Sequence, residues 1–599
     1  MVLTMGATFD FIALFSMSKS GRNNLFIKTS RELVNSAYGE PPLVVDSFAG
    51  GGSIPLEALR VGCDVFASDS NPIAALLLRV ILTDAPRSAP TIASKLRSEA
   101  KRIQSEVDGA LRKYYWRTNA ASEPIAYLWA RTVRCESPNC GAEVPIYGTP
   151  WLSKRGASKA KYFKESSDGS CVAIIVDSAP LGGPIQLRIA RGIGREDELP
   201  DYVLMAATKV KGNAGGVICP CCRRTLPGSR TSPRVQAQLS AQKGGAEVLF
   251  ASDGRRLGGA RLLAVVERAS GQAGVRYRQP CDEDYDCIYR ATRALKELEN
   301  SNNDPTQPSL VPDEAISLDG IRRISVPLYG VKTWGDLFTT RQKLALALYA
   351  RAIRRIDDRQ VARCAALALD RVVMLSSAHC RWKASGESLI DMFGRHAIGM
   401  EWNFAEAALV NDSDGIFVRF MNSIADALLE LGELSGTPGQ VELLDACATN
   451  LPSEAAGVWF VDPPYYDSIP YAHLADVFYV WLRRALGDKE KQLFAGPLSD
   501  KTSECVVDRP HRLSQSQKTP AYFEAKVAEA CAEGRRITSE DGIGCIVFAH
   551  KTTEGWEALL KGILDGGWCI TASWPIATEL PSRLHARETA SLATSVHLI

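Results

Sequence analysis

Two short stretches of this chain carry residue types that could do chemistry together. The first, Asp46-Ser-Phe48-Ala-Gly50-Gly51-Gly52, is a glycine-rich turn led by a carboxylate. The second, Asp462-Pro463-Pro464-Tyr465, sets an acid, two ring-stiffened residues and an aromatic in a row. A glycine turn lets a ligand approach the backbone closely. A dinucleotide would need G-x-G-x-x-G with its pyrophosphate on a helix N-terminus. Here Pro55 stands where the third glycine should be, and Asp46 would repel phosphate. S-adenosylmethionine has no phosphate and carries an ammonium and a sulfonium, so an acid beside the turn suits it.

Asp69 follows Gly52 by 17 residues and ends a second apolar run, where a carboxylate can accept both ribose hydroxyl hydrogens. Asp445 ends a third run and is expected to reach the adenine amino group of the cofactor. A lone aspartate after a strand is more often a helix N-cap. Three of them at successive strand ends, one beside a glycine turn, point to a cofactor site. Its expected contacts are Asp46, Phe48, Gly50, Gly52, Asp69 and Asp445.

The D-P-P-Y stretch suits an amino group that is a poor nucleophile because its lone pair is delocalised. Two acceptors that hold its two N–H bonds draw the nitrogen toward tetrahedral geometry and localise that pair. The Asp462 side chain can supply one acceptor and the Pro463 carbonyl the other, with Pro464 stiffening the loop. Tyr465 offers a face on which an extruded base can stack. A bare Pro-Pro-Tyr is usually only a turn; placed after a fourth strand and downstream of a glycine turn, it reads as catalytic.

These residues need strands to hold them. Apolar runs at 43–46, 64–68, 441–444 and 457–461 each end at one of the four aspartates. A helix is expected over 54–61. Toward the C-terminus, helices are expected over 472–485, 521–536 and 554–564. Strands are expected over 543–549, 569–574 and 593–598. The reading is a Rossmann-like α/β sheet interrupted by a large insertion. Residues 30–85 form its first part and 437–599 its second. Between them lie an insertion at 86–335 and a helical region at 336–436, with long helices expected over 339–356, 360–378 and 417–431. Residues 89–115 are helix-forming, and 300–312 read as a linker. No internal repeat is evident.

Within the insertion, Cys135-x4-Cys140 and Cys219-x2-Cys222 form two knuckle-like pairs separated by 78 residues. Four thiolates suit a structural Zn2+ and leave no open position for catalysis. Cys221 is an extra thiol beside the second pair. Cys281 and Cys287 lie in an acidic helical context and are not expected to bind metal. From 131 to 240 there are 16 Lys and Arg against 9 Asp and Glu, so this lobe is basic although the whole chain carries only +2. Its Trp151, Lys154, Arg155, Lys159, Lys161, Tyr162 and Lys164 mix cations with aromatics, as phosphate contact and base stacking require. A solvated basic loop has the same composition.

A hydrophobic fraction of 46% with 23% charged residues describes a globular chain, and its 599 residues exceed one ordinary domain. No apolar run is long enough for a membrane span. The apolar stretch 9–17 is short, contains Asp10 and has no basic residue before it, so no secretory signal is read and a cytoplasmic location is expected. The remaining cysteines, such as Cys364, Cys447, Cys545 and Cys569, read as reduced thiols.

The D-x-F-A-G-x-G turn followed by D-P-P-Y resembles the amino-methyltransferases that act on adenine in DNA. More closely, the chain resembles the bacterial and archaeal adenine-specific DNA methylases that contain a zinc ribbon. The matching segments are 129–143, 219–225, 332–343, 402–406, 462–481, 548–556 and 573–579. That resemblance implies methylation of the N6 amino group of adenine in DNA from S-adenosylmethionine. It also implies a restriction-modification or phage-defence setting with possible partner proteins, and a DNA-recognising insertion. The alternatives are a methyltransferase for RNA bases or protein glutamine, and a catalytically idle zinc-containing DNA-binding subunit. Asp at 462 and the long insertion favour DNA adenine.

Overall fold

Seven strands build the central sheet of the computed structural model: β1 (Leu43–Asp46), β2 (Asp64–Asp69), β3 (Gln440–Leu443), β4 (Ala456–Val461), β5 (Thr538–Phe548), β6 (Ser573–Ile576) and β7 (Ser595–Leu598). The structure describes residues 24–117, 122–154, 171–191, 216–228, 234–269, 274–302, 304–393, 396–410, 415–432, 437–467, 469–508, 510–576 and 595–599. The strand order is β3-β2-β1-β4-β5-β7-β6. Every pairing from β3 to β5 is parallel, and β7 runs antiparallel between β5 and β6. Strands far apart in sequence thus share one ladder, with Val44 opposite Val458 and Ala67 opposite Val441.

The inner strands β1, β2 and β4 read as nearly continuous apolar runs because both faces of the sheet are covered there. Successive residues of β1 show this. Val44 packs with Val65, Leu78 and Val441 under the helices α1 (Ser53–Arg60) and α2 (Pro72–Leu78). Val45 faces the other way, into Phe66, Trp459 and Val461, with side chains of α8 (Pro520–Ile537) and α9 (Thr553–Asp565). Each such side chain, fully buried, contributes about 1.5–3 kcal/mol.

A six-residue π-helical turn, Arg79–Asp84, joins α2 to the 31-residue helix α3 (Ala85–Tyr115). That helix enters a large helical core with α4 (Thr340–Arg354), α5 (Arg359–Leu375), α6 (Ile416–Gly432) and the helix Asp282–Ser301. Helix α7 (Tyr471–Leu486), which follows the D-P-P-Y loop, buries Val477, Val480 and Trp481 in the same core. The loop is therefore held between the sheet and the helical body. A buried ion pair, Arg341 to Glu406 at 2.8 Å, anchors that body, and Trp129 donates its indole N–H to the same carboxylate at 2.8 Å.

The insertion has its own five-stranded sheet, in which Ser122–Arg134 pairs with Arg261–Ala269 and with Asn403–Ala407. Residues 403–407 are thus a strand within the stretch read as helical.

Several element boundaries differ from the sequence reading. The strand expected over 569–574 is β6, 573–576, because the ladder is set by β7: Ser573 opposes Leu598, while Thr571 and Ala572 bond Ile599 outside the strand. The strand expected at 543 begins at Thr538, where polar residues resembling a turn pair at the sheet's end, Thr538 opposite Ala456. Helix α4 starts one residue later than expected because Thr339 is its N-cap, in a capping box with Gln342. Helix α5 stops at Leu375 rather than running to 378. No described helix is long and apolar enough to cross a membrane.

Candidate functional site

The strand order reverses between β1 and β4, one going to β2 and the other to β5. In an open α/β sheet such a reversal leaves a crevice outside the carboxyl ends of the strands. A cleft of about 590 Å³ opens there, within the size range of small-molecule sites. Its walls include Asp46, Phe48, Gly50, Asp69, Asp445, Asp462, Pro463, Pro464 and Tyr465. One cavity therefore gathers the residues singled out in the sequence, with the exception of Gly52. That glycine sits just behind the wall as the N-cap of α1, at φ 81°. A Cβ there would meet Ile81 at 2.6 Å and Leu78 at 2.8 Å. Gly52 shapes the turn and its packing; it does not face the cavity.

The turn is fastened from three sides. Asp46 is buried and accepts the Phe48 N–H at 3.0 Å. Ser47 beneath it accepts the Trp459 indole N–H at 3.2 Å. Asp69 accepts the Gly50 N–H at 2.8 Å with one oxygen and the Asn71 N–H at 2.7 Å with the other. Asn71 in turn caps α2 by accepting from Ile73. Asp445 accepts the Cys447 N–H at 3.0 Å and pairs with Lys526 at 3.0 Å.

The cleft is strongly acidic. Asp46, Asp69, Asp445, Asp462, Asp500 and Glu504 line it, against Lys526 as the one cation among its lining residues. Burial pushes the Asp46 carboxyl well above the usual range; the Phe48 N–H works the other way, and the nearby Asp69 and Asp462 add to the rise. Burial also raises Asp69, against the opposing Asn71 and Gly50 N–H bonds. Asp462 sits exposed at the mouth, yet the surrounding walls desolvate it enough to raise its pKa, with a Tyr465 side-chain hydrogen bond opposing. A cation placed among these groups would relieve their crowding.

Tyr465 is half-buried and meets Phe548 edge-to-face, ring centres 5.3 Å apart. Tyr466 follows at φ 48° and donates its hydroxyl to Glu554 at 2.9 Å, which fixes the far end of the loop.

Among the wall residues that escaped the sequence reading as site residues are Tyr471, Cys447, Asp500, Glu504 and Lys526. They lie on α7, on α8 and in connecting segments, so only the tertiary packing brings them to the cleft. The Asn71-Pro72 pair, a cap followed by proline, was a legible signal for the start of α2.

Outside the cleft, the sulfur atoms of Cys135, Cys140, Cys219 and Cys222 lie within 4.8 Å of one another and could hold a metal ion such as zinc. Cys135 approaches Cys222 at 3.6 Å and Cys140 approaches Cys219 at 3.7 Å. Each pair sits on a tight turn. Cys135 N–H bonds Ala142 O across one, and Cys219 N–H bonds Arg224 O across the other, with Asn139 and Arg223 at positive φ. The hairpin Val217–Ile218 with Thr225–Leu226 carries the second pair to the first. Cys221 is not one of the four, and its sulfur lies 4.0 Å from Gly183 O. Cys281 caps the helix Asp282–Ser301, and Cys287 is buried on that helix. Of the basic and aromatic residues noted in this lobe, Trp151 and Lys154 lie on a strand, and Arg155, Lys159, Lys161, Tyr162 and Lys164 fall outside the described residues.

No protein-family model, curated protein or solved structure matches this chain.

Proposed function

We propose that this chain is an S-adenosylmethionine-dependent methyltransferase with a Rossmann-like catalytic sheet, and that it methylates the N6 amino group of adenine in DNA. The observation that carries the reading is the convergence of the glycine turn, four strand-end aspartates and the D-P-P-Y loop on one acidic cleft at the reversal of the sheet. An anionic dinucleotide would meet Asp46 and Asp69 there; a sulfonium and an ammonium are favoured by them.

The cofactor supplies an electrophilic methyl group. The chain's part is to bind and orient. Asp69, its position fixed by Gly50 and Asn71, is the ribose acceptor. Asp445, steadied by Lys526, borders the adenine of the cofactor. Asp462 accepts one N–H of the target amino group and the Pro463 carbonyl the other, while Tyr465, braced by Phe548, carries the base. An adenine inside a duplex cannot reach this loop, so the base must be extruded.

The cysteine cluster fits zinc. Four sulfurs about 2.3 Å from a tetrahedral zinc lie about 3.8 Å apart, and the two closest approaches here are 3.6 and 3.7 Å. Cys135, Cys140, Cys219 and Cys222 would hold it as a structural centre of the insertion.

The test is transfer of tritiated methyl from S-adenosylmethionine to unmethylated DNA, with nucleoside digestion and mass spectrometry of the product. N6-methyladenine is the expected product. Label appearing only in RNA or in a glutamine-containing peptide would redirect the reading, and no label in any acceptor would refute it.

A further inference from the structure

Tyr471 is more than half exposed, at 56%, although it lines the cleft. Among the described residues nothing stacks on its ring and nothing bonds its hydroxyl. Tyr465 differs on both counts, since its hydroxyl bonds Asp462 and its ring is braced by Phe548. The backbone under Tyr471, by contrast, is firmly held. Pro470 precedes it as the N-cap of α7. The next N–H, from Ala472, donates to the buried Glu504 at 2.8 Å. His473 packs against Gly320, where even a Cβ would lie 3.0 Å from the imidazole. One turn further on, Asp476 accepts from Ser499 and pairs with Lys501 at 2.7 Å.

A fixed backbone carrying a free aromatic face is the arrangement a stacking platform needs, because little order is lost when a flat ligand settles on it. The surroundings favour a neutral platform. Burial, Asp462 and Glu504 together raise the Tyr471 phenol above its ordinary value, so the ring stays uncharged. Tyr471 and Asp462 line the same cleft, which puts the platform on the acceptor's cavity.

Resting on the methyltransferase reading above, we infer that Tyr471 is a substrate-contact residue whose ring stacks on the planar base bearing the accepted nitrogen, so that the cleft selects a flat heterocyclic amine over an aliphatic amide. Tyr465 and Tyr471, three and nine residues after Asp462, then act as two aromatic surfaces of the same cleft. Tyr465 is fixed in place and Tyr471 is open to the incoming group.

The experiment uses the full chain, unmethylated phage DNA and tritiated S-adenosylmethionine, and follows KM for DNA, kcat and cofactor affinity. Stacking on one aromatic is worth about 1–3 kcal/mol, so Tyr471→Ala should raise KM for DNA by about tenfold, with a smaller effect on kcat. Tyr471→Phe should recover most of that loss, because it keeps the ring and removes only the unbonded hydroxyl. Cofactor affinity, measured by calorimetry, should stay within about twofold in both. An unchanged KM in Tyr471→Ala overturns the inference, as does a Phe variant as impaired as Ala. A matching fall in cofactor affinity also overturns it, since that would mark a structural role. Wild-type protein that transfers no methyl to DNA fails earlier and overturns the DNA-adenine reading itself.

Discussion

Asp69 accepts the backbone N–H of Gly50 at 2.8 Å, so the acid that ends the second strand holds the glycine turn that follows the first. Its other oxygen takes the Asn71 N–H at 2.7 Å. The carboxylate therefore shapes the turn, and under the proposed function its remaining lone pairs are offered to the cofactor. Asp69→Ala should cost about 1.5–3 kcal/mol for each charge-assisted bond lost. The loss should be visible both as weaker S-adenosylmethionine binding in calorimetry and as a lower melting temperature without ligand. Preferential binding of a nicotinamide dinucleotide by the wild type would sink the site as drawn.

Under the proposed function, the crowded acids should make cofactor binding pH-dependent. Asp46 and Asp69 both have raised pKa values, chiefly through burial. An acid whose pKa is higher folded than unfolded binds its proton more tightly in the fold. Lowering the pH through that window therefore stabilises the ligand-free protein, and raising it withdraws the contribution. A cationic ligand has the opposite preference, because it needs these groups ionised. Affinity for S-adenosylmethionine should thus fall on acidification from neutrality, starting above the ordinary carboxylate range near 4. S-adenosylhomocysteine, which lacks the sulfonium charge, should show a shallower dependence. Parallel pH profiles for the two ligands would mean that the acids do not sense the sulfonium.

Much of this site could be read from sequence, for a local reason. Asp46, Asp69, Asp445 and Asp462 each close a short apolar run, and in a parallel sheet the ends of such runs fall on one edge. What stayed hidden depended on long-range packing. Tyr471 and Lys526 sit on α7 and α8, and no spacing rule says which helical residues lean over a cleft. Gly52 lies off the cleft wall for a related reason. Its positive φ and its closeness to Ile81 and Leu78 show a packing role that a motif cannot distinguish from ligand contact. The cysteines lay between these cases. Their paired spacing was visible, but the closure of a 78-residue gap needed the hairpin at 217–226.

Gly52→Ala provides a direct check on that packing role. A left-handed residue other than glycine costs about 1–2 kcal/mol, and the added methyl must also displace Ile81 or Leu78. The variant should melt earlier than wild type by at least that amount in denaturant titration. Undiminished stability would mean that the turn relaxes freely.

The metal prediction concerns the insertion alone. Freshly purified protein, never exposed to chelator, should contain about one zinc per chain. Cys219→Ser should release it and expose the lobe around the Val217–Ile218 hairpin to protease, because metal binding and local folding are coupled. Cys221→Ser should leave the zinc in place, since that sulfur is not one of the four in the cluster. Zinc-free protein by elemental analysis, or loss of metal on changing Cys221, would refute the assignment.

Asp462 tests how the amino group is activated. If the carboxylate works as a hydrogen-bond acceptor, Asn can partly replace it, because its carbonyl oxygen accepts from the same place. If the carboxylate is a general base, Asn should be as inactive as Ala, since an amide takes no proton at neutral pH. The raised pKa of Asp462 would help a base. The Tyr465 side-chain hydrogen bond works against it, by favouring the ionised acceptor form. The sulfonium is already a strong electrophile, and the amino proton can leave after methyl transfer, so the acceptor role is the one expected. Asp462→Ala should then abolish DNA methylation while leaving cofactor affinity nearly intact, and Asp462→Asn should retain measurable activity. Equal inactivity of both variants with cofactor binding preserved would overturn the acceptor role. A fully active Ala variant would remove Asp462 from the reaction altogether.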